Sequence, residues 1–397
     1  MTLDFLQTLA LAGAVVLVGQ WVCARVGIIA RLSIPAPVVG GLVAALVLLL
    51  LRTQGAPVPV FDTLLQKPLL VAFFASLGFA ARLELLRRGG PQVALFLVLC
   101  SVFAVLQSLL GMAVAVAFGL PSLFGVLVGA VTLTGGPATG AAFAPYFEQA
   151  GVVGADAIAV ASATAGIVLG GLLGGPLVVR LLKTHSLQGP GSGAVASAAA
   201  EAGTADAPST RASESSVFTA LVLLTAVIVV GQWVSAGIER TGITLPGYIG
   251  AMLVAAVVTN LAPLLGRFRP DPAVIETLGA IALSLFLAMW LMTLDLTRLK
   301  GLALPLVVNL VLQVAMIALV LGSVFRFMGR DYDAAVMSGG FTGFMLGTTA
   351  TALAVMRTVV ARHGAAPRAF LVAPLVGAFF IDFTNALVIN LFLNLLG

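Results

Sequence analysis

Apolar residues follow one another in runs of about 20 along almost the whole chain, broken by short clusters of glycine, proline and charge. A run of that length makes a helix able to cross a hydrocarbon layer ~30 Å thick. The short alternating segments that mark a membrane barrel are not the pattern here. The periodicity predicts an all-α polytopic membrane protein. Ten full crossings are placed at about 5–26, 34–51, 68–86, 91–118 and 155–183, then 217–238, 245–263, 278–296, 302–326 and 369–396.

One long stretch breaks the pattern. Residues 184–216, beginning "THSLQGPGSGAVASAAAEAG", are rich in Gly, Ala and Ser and have no apolar period. They read as a flexible linker between a first half, 1–183, and a second, 217–397. The halves resemble each other. "GQWV" from Gly19 returns at Gly231, "SIPAPVVGGLVAALV" from Ser33 is answered by "TLPGYIGAMLVAAVV" from Thr244, and "RLELLRRGG" from Arg82 by "TLDLTRLKG" from Thr293. Three matches in order at nearly one spacing indicate duplication. Five crossings per half is an odd number, so the expected fold is two inverted-topology repeats of five transmembrane helices.

Between the fourth and fifth crossings of each half lies an extra apolar segment holding a glycine doublet, Gly135-Gly136 in "TLTGGPATG" and Gly339-Gly340 in "VMSGGFTGF". From Pro121 to Thr134 there is about 21 Å of helix at ~1.5 Å per residue, enough to reach mid-membrane but not to cross. Ala138 to Ala150 has the length to return. Each repeat is therefore expected to carry a re-entrant hairpin, at about 121–150 and 331–362, with glycines at its tip. Close packing between helices is the competing reading of such glycines.

Composition sharpens this. Only 9% of residues are charged, against about 25% in soluble domains. The net charge of +5 is read as basic cytoplasmic loops rather than as a nucleic-acid surface. With the N-terminus outside, only Arg52, Lys67, Arg240, Arg298 and Lys300 of the 20 basic residues fall externally. Both termini are then periplasmic or external, the linker is cytoplasmic, and the hairpins enter from opposite faces. The N-terminus lacks the basic start of a signal peptide, so the first run is expected to remain a helix. Cys23 and Cys100 lie in apolar runs and His185 and His363 far apart, which argues against disulfide or thiolate-metal chemistry. No His-Glu-x-x-His and no Ser/His pair at depth points to an enzyme or an organic cofactor.

Broken helix at membrane depth needs a protein-lined or watered cavity. Opposed tips would gather helix N-termini, which favour anions, and unwound carbonyls, which favour cations. An anionic substrate carried with Na⁺ or H⁺ suits both. An uncoupled anion channel on the same repeats is the alternative. Asp382 in "GAFFIDFTNALVIN" lies inside the last crossing, with Thr384 and Asn385 near it, Asn385 at i+3. Sodium coordination, proton carriage or a structural hydrogen bond would each explain a carboxylate there. Gln107 and Gln313 occupy similar places in the two fourth crossings and supply either substrate or ion contacts or interhelical bonds.

"SIPAPVVGGLVAAL", "LLVAFFASLGF", "TLTGGPATGAA", "IALSLFLAMWLM", "DYDAAVMSGG" and "FLVAPLVGAFFIDFTNALVINLFL" resemble the bacterial sodium/glutamate symporter family over nearly the whole chain outside the linker. The resemblance implies a homodimeric secondary transporter of the bacterial inner membrane, taking up L-glutamate with Na⁺ as coupling ion by an elevator-type movement. It implies Thr134, Gly135, Gly136, Thr139 and Gly140 as the first tip, and Ser338, Gly339, Gly340, Thr342 and Gly343 as the second. Asp382 and Asn385 follow in the last helix, with Ser162 and Thr164 as additions. Family tips typically read Gly-Gly-x-Gly. Here Pro137-Ala138 and Phe341-Thr342 follow the doublets, which leaves another small carboxylate, coupled to sodium or protons, as the alternative cargo.

Overall fold

The computed structural model describes residues 2–27, 29, 32, 34–187, 189, 213–240, 246–265 and 271–396. Most of the expected linker lies outside the described residues, as do Arg31, Arg211, Arg267 and Arg269 of the charge count. The first half holds α1 (Phe5–Arg25), α2 (Ala36–Thr53), α3 (Gln66–Ala80), α4 (Leu83–Ala117) and α5 (Ser122–Val126). α5 runs into a π-helical turn, Leu127–Val131, followed by α6 (Gly136–Gln149) and α7 (Ala155–Thr184). The second half holds α8 (Glu214–Glu239), α9 (Gly247–Leu265), α10 (Pro272–Met292), a 3-10 turn at Leu296–Leu299 and α11 (Ala303–Phe327). Then come α12 (Tyr332–Leu346), α13 (Thr349–His363), α14 (Pro367–Leu375), a second π turn at Val376–Phe380 and α15 (Ile381–Leu396). A two-residue parallel pairing of Thr2–Leu3 with Val60–Phe61 is the strand content among the described residues.

Local chemistry sets several of these ends. Asp4 and Gln7 form a reciprocal capping box at α1, with bonds of 2.8 and 3.1 Å. Asp271 caps α10 and Pro272 supplies its first turn, where a missing N–H costs nothing. In α4, Gly90 (φ 65°) followed by Pro91 separates a short leading piece from the long apolar run.

Among the described residues, seven helices are long and apolar enough to cross a membrane: α1, α2, α4 from Gly90 onward, α7, α8, α10 and α11. The chain is a multi-pass membrane protein. α3, with 15 residues, spans only about 22 Å at ~1.5 Å per residue. The last expected crossing, 369–396, is not one continuous helix. Pro374 has no N–H to give the preceding turn, and the chain relaxes through the π turn before α15 begins.

The helices pack in two groups, and each group draws on both halves. α1, α2, α3, α8, α9 and α10 contact one another and form a frame. α4 to α7 and α11 to α15 form a second body, the core. The repeated "GQWV" acquires a physical meaning in the frame. A Cβ on Gly19 would lie 2.0 Å from the Ala36 carbonyl, and one on Gly231 would lie 2.3 Å from Ala251 Cα. Both glycines therefore let their helix cross its successor backbone to backbone, while Gln20, Trp21, Gln232 and Trp233 stay exposed.

Candidate functional site

The first broken segment forms where expected. Thr134 to Gly135 leaves the helix, Gly136 takes a left-handed φ of +68°, and Pro137 opens α6. That conformation is free only to glycine, and the proline ring is already set for a helix start. Among the described residues no side chain caps α6, so its first amides and its positive dipole end are open to a ligand.

The second break is a correction. Gly339 and Gly340 do not interrupt the chain: α12 runs through them, with Ser338 to Leu346 wholly buried. They are packing points. A Cβ on Gly339 would lie 2.5 Å from Val178 Cγ2, one on Gly340 2.7 Å from Met356 Sδ, and one on Gly343 2.4 Å from Ala352 Cα. Ser338 and Thr342 spend their hydroxyls on the α12 backbone, at Ala334 O (2.8 Å) and Ser338 O (3.1 Å). The break falls further along, at Gly347 (φ −151°, ψ −113°) and Thr348. No proline follows the second doublet to force the turn, whereas Thr348 can cap α13 by accepting from Thr351 N. A glycine followed by "TTAT" carries that N-cap signal in the sequence, and the doublet obscured it.

The two breaks meet. A Cβ on Gly136 would lie 3.0 Å from Thr348 Cγ2 and 3.5 Å from Gly347 O. A cavity of about 650 Å³ opens at this junction, between frame and core. Thr134, Gly135, Pro137, Ala138 and Thr139 line it from the first tip, and Thr348, Thr349 and Ala350 from the second. Gly377, Ile381 and Asp382 close a third side, and Phe73, Phe74, Ser76 and Leu77 of α3 a fourth. Arg82, between α3 and α4, and Glu276, near the start of α10, which the sequence did not single out, stand on the wall together with Pro35 and Pro272.

The other expected residues scatter around this centre. Gly140 faces Ala159 of α7 rather than the cavity. Ser162 accepts a 2.8 Å bond from Thr132 Oγ1, behind the first tip, and Thr164 Oγ1 is buried without a partner among the described residues. Thr384 is turned away, donating to Ile381 O (3.2 Å) and accepting from Ser101 Oγ (3.0 Å). Asn385 donates to Ala130 O (3.0 Å) in the first π turn, and its Oδ1 is buried and unpartnered among the described residues.

Gln107 is a cross-brace. Its Nε2 donates to Met345 O at 2.6 Å, its Oε1 accepts from the Thr134 hydroxyl, and its own carbonyl accepts from Gln313 Nε2 at 2.9 Å. One side chain thus ties the first tip to the end of α12. Replacing Gln107 with Ala leaves a buried hydroxyl and a buried carbonyl unsatisfied, at a cost of about 1–3 kcal/mol each. The Gln107→Ala protein is expected to melt several degrees below wild type, and an unchanged melting curve would show that the brace carries no stability.

Comparison with known proteins gives the chain a family. The family model described as "Sodium/glutamate symporter" matches residues 1–365. The chain is 41% identical over 403 aligned positions to a sodium/glutamate symporter of Escherichia coli (strain K12), covering 99% of this chain and 98% of the relative. The match to the Shigella flexneri sodium/glutamate symporter has the same figures. For the Haemophilus influenzae sodium/glutamate symporter the identity is 37% over 389 positions, covering 97% and 96%. The chain belongs to the sodium/glutamate symporter family.

Proposed function

We propose that the chain imports L-glutamate together with Na⁺, and that the core carries the site across the membrane by sliding against the frame. The observation that carries this reading is the meeting of two helix N-termini at one cavity on the frame–core boundary. Each N-terminus holds roughly half a positive charge, so the pair suits the carboxylates of the substrate. Neither tip offers a lysine or arginine, and backbone amides do the gripping. The two broken segments act as re-entrant hairpins of inverted repeats, entering from opposite faces.

Na⁺ belongs beside the first π turn. Asn385 Oδ1, unpartnered among the described residues, sits there with its amide nitrogen held by Ala130 O, beside the distorted backbone at Gly129, and backbone of that kind is where alkali ions are bound. Of the three residues expected to hold the ion, Asn385 fits best and Thr384 least, because its hydroxyl is already engaged. The charge bias puts Arg82 and Glu276 on the cytoplasmic side, so the cavity opens inward. On the other side Arg298 pairs with Glu148 (3.0 Å) and Trp290 Nε1 donates to Asp156 (2.7 Å), which joins frame to core. Bacterial inner-membrane placement, external termini and a homodimer complete the proposal, on charge bias and family resemblance.

The test is radiolabelled uptake into proteoliposomes, with glutamate, aspartate and citrate compared. Saturable glutamate accumulation is expected only with an inward Na⁺ gradient. At 100 mV, one net charge moved inward is worth about 2.3 kcal/mol, or roughly 50-fold accumulation at ~1.4 kcal/mol per decade. Non-saturating flux indifferent to Na⁺ would replace this reading with a channel.

A further inference from the structure

We infer that Asp382 is the acceptor for the α-ammonium group of the substrate, and so the residue that selects an amino acid over the matching dicarboxylate. This rests on the symport reading above. The cavity has two unlike poles. The positive pole is the pair of helix starts, α6 at Gly136 and α13 at Thr349, each bringing its tip to the wall. The negative pole is Asp382, in the first turn of α15. Among the described residues its carboxylate makes no hydrogen bond and no ion pair, although it stands in the interior of a membrane protein.

An unpaired carboxylate at such a place calls for a cation, and two are on offer. The coupling ion fits less well, because the Thr384 hydroxyl is already engaged and Asn385 is anchored on the first π turn. Thr384 is bonded to Ile381 O and Ser101, and Asn385 is anchored on Ala130 O, one step around the helix. The remaining charges on the cavity wall among the described residues are of opposite sign: Arg82, at the junction of α3 and α4, and Glu276, near the start of α10. Among the described residues on the wall, Asp382 is the charged one that lies within a core helix.

An α-amino acid carries its ammonium and carboxylate on one carbon. A substrate whose carboxylates lie on the helix starts therefore presents its ammonium close by, across a cavity that Asp382 closes on a third side. A dicarboxylate of the same length without the amine sets its carboxylates on the same helix starts but turns a methylene toward Asp382, which leaves the carboxylate there unpaired and the occupied site one charge more negative. The discrimination is electrostatic and does not require a tight fit around the chain of the substrate.

The experiment measures equilibrium binding of glutamate and of glutarate, which has the same carbon skeleton and both carboxylates but no amine. Full-length protein in lipid nanodiscs at saturating Na⁺ is used, and the Na⁺ concentration for half-maximal binding is recorded. Wild type is expected to prefer glutamate by on the order of 100-fold, the scale for a buried charged hydrogen bond. In Asp382→Asn that preference is expected to collapse through lost glutamate affinity, with glutarate held or bound more tightly and the Na⁺ half-saturation unchanged. Equal binding of the two ligands by wild type overturns the inference without any variant. So does an equal loss of both in Asp382→Asn together with a shifted Na⁺ half-saturation, which would assign the carboxylate to the ion. Absence of glutamate binding by wild type would instead fail the symport reading itself.

Discussion

Gly136→Val is expected to reduce Na⁺-driven glutamate uptake by about 100-fold or more while the protein still folds. Gly136 holds φ at +68°, a region that costs an L-residue about 1–2 kcal/mol and a β-branched one more. The new side chain would also start 3.0 Å from Thr348 Cγ2 and 3.5 Å from Gly347 O. It can be housed only by separating the tips. A misplacement of about 1 Å at a working site costs on the order of 10²-fold, and here it would pull the two helix starts apart. The strain is local, so the melting temperature should change by only a few degrees. Gly151→Asn is the control: Gly151 also has positive φ, +93°, but nothing lies within 4 Å of its Cβ position, and asparagine tolerates that backbone. Gly136→Val uptake within threefold of wild type would show that the tips need not touch.

Gly125→Val is expected to be the most destabilising single change considered. Gly125 of α5 and Gly111 of α4 cross so closely that a Cβ on either would fall 2.1 Å from backbone of the other, and one on Gly125 would also come 2.3 Å from Met112 N. No side-chain rotation relieves a clash with backbone. The helices must move apart, and α5 is the segment that leads into the first tip. Overpacking a well-filled interior costs typically 1–3 kcal/mol and occasionally more. A backbone collision at this distance belongs at the upper end, about 3 kcal/mol or beyond. The measurement is the yield of monodisperse purified protein and its melting temperature. Gly175→Val in α7, where nothing lies within 4 Å, should behave as wild type. Equal melting temperatures for the two variants would contradict the close crossing.

Much of the candidate site's local conformation was legible because some residues carry their conformation with them. Thr134 to Thr139 could be placed at a tip since Pro137 cannot donate to a preceding turn and Gly136 tolerates left-handed backbone. Asp382 was conspicuous as a carboxylate among apolar neighbours. Gly339-Gly340 misled for a complementary reason. A glycine doublet serves a break and a close helix crossing equally well, and only the neighbours, Val178, Met356 and Ala352, decide between them. Thr348 and Thr349 were readable as an N-cap, but hydroxyl residues are common in apolar helices and nothing local ranked this pair above Ser338 and Thr342.

The sequence by itself determined the membrane-spanning helical class, because apolar runs of about 20 residues have few other low-energy places to go. It also determined the family, through motifs spread over the chain, and the position of the first break, through Pro137. The tertiary structure alone decided where α12 ends, that Gln107 braces one tip to the other segment, and that frame and core each mix helices from both halves. It also decided which of Asp382, Thr384 and Asn385 faces the cavity. Those outcomes depend on what distant helices set against each face of a segment, and a burial partner a hundred or more residues away leaves no periodicity in the local sequence.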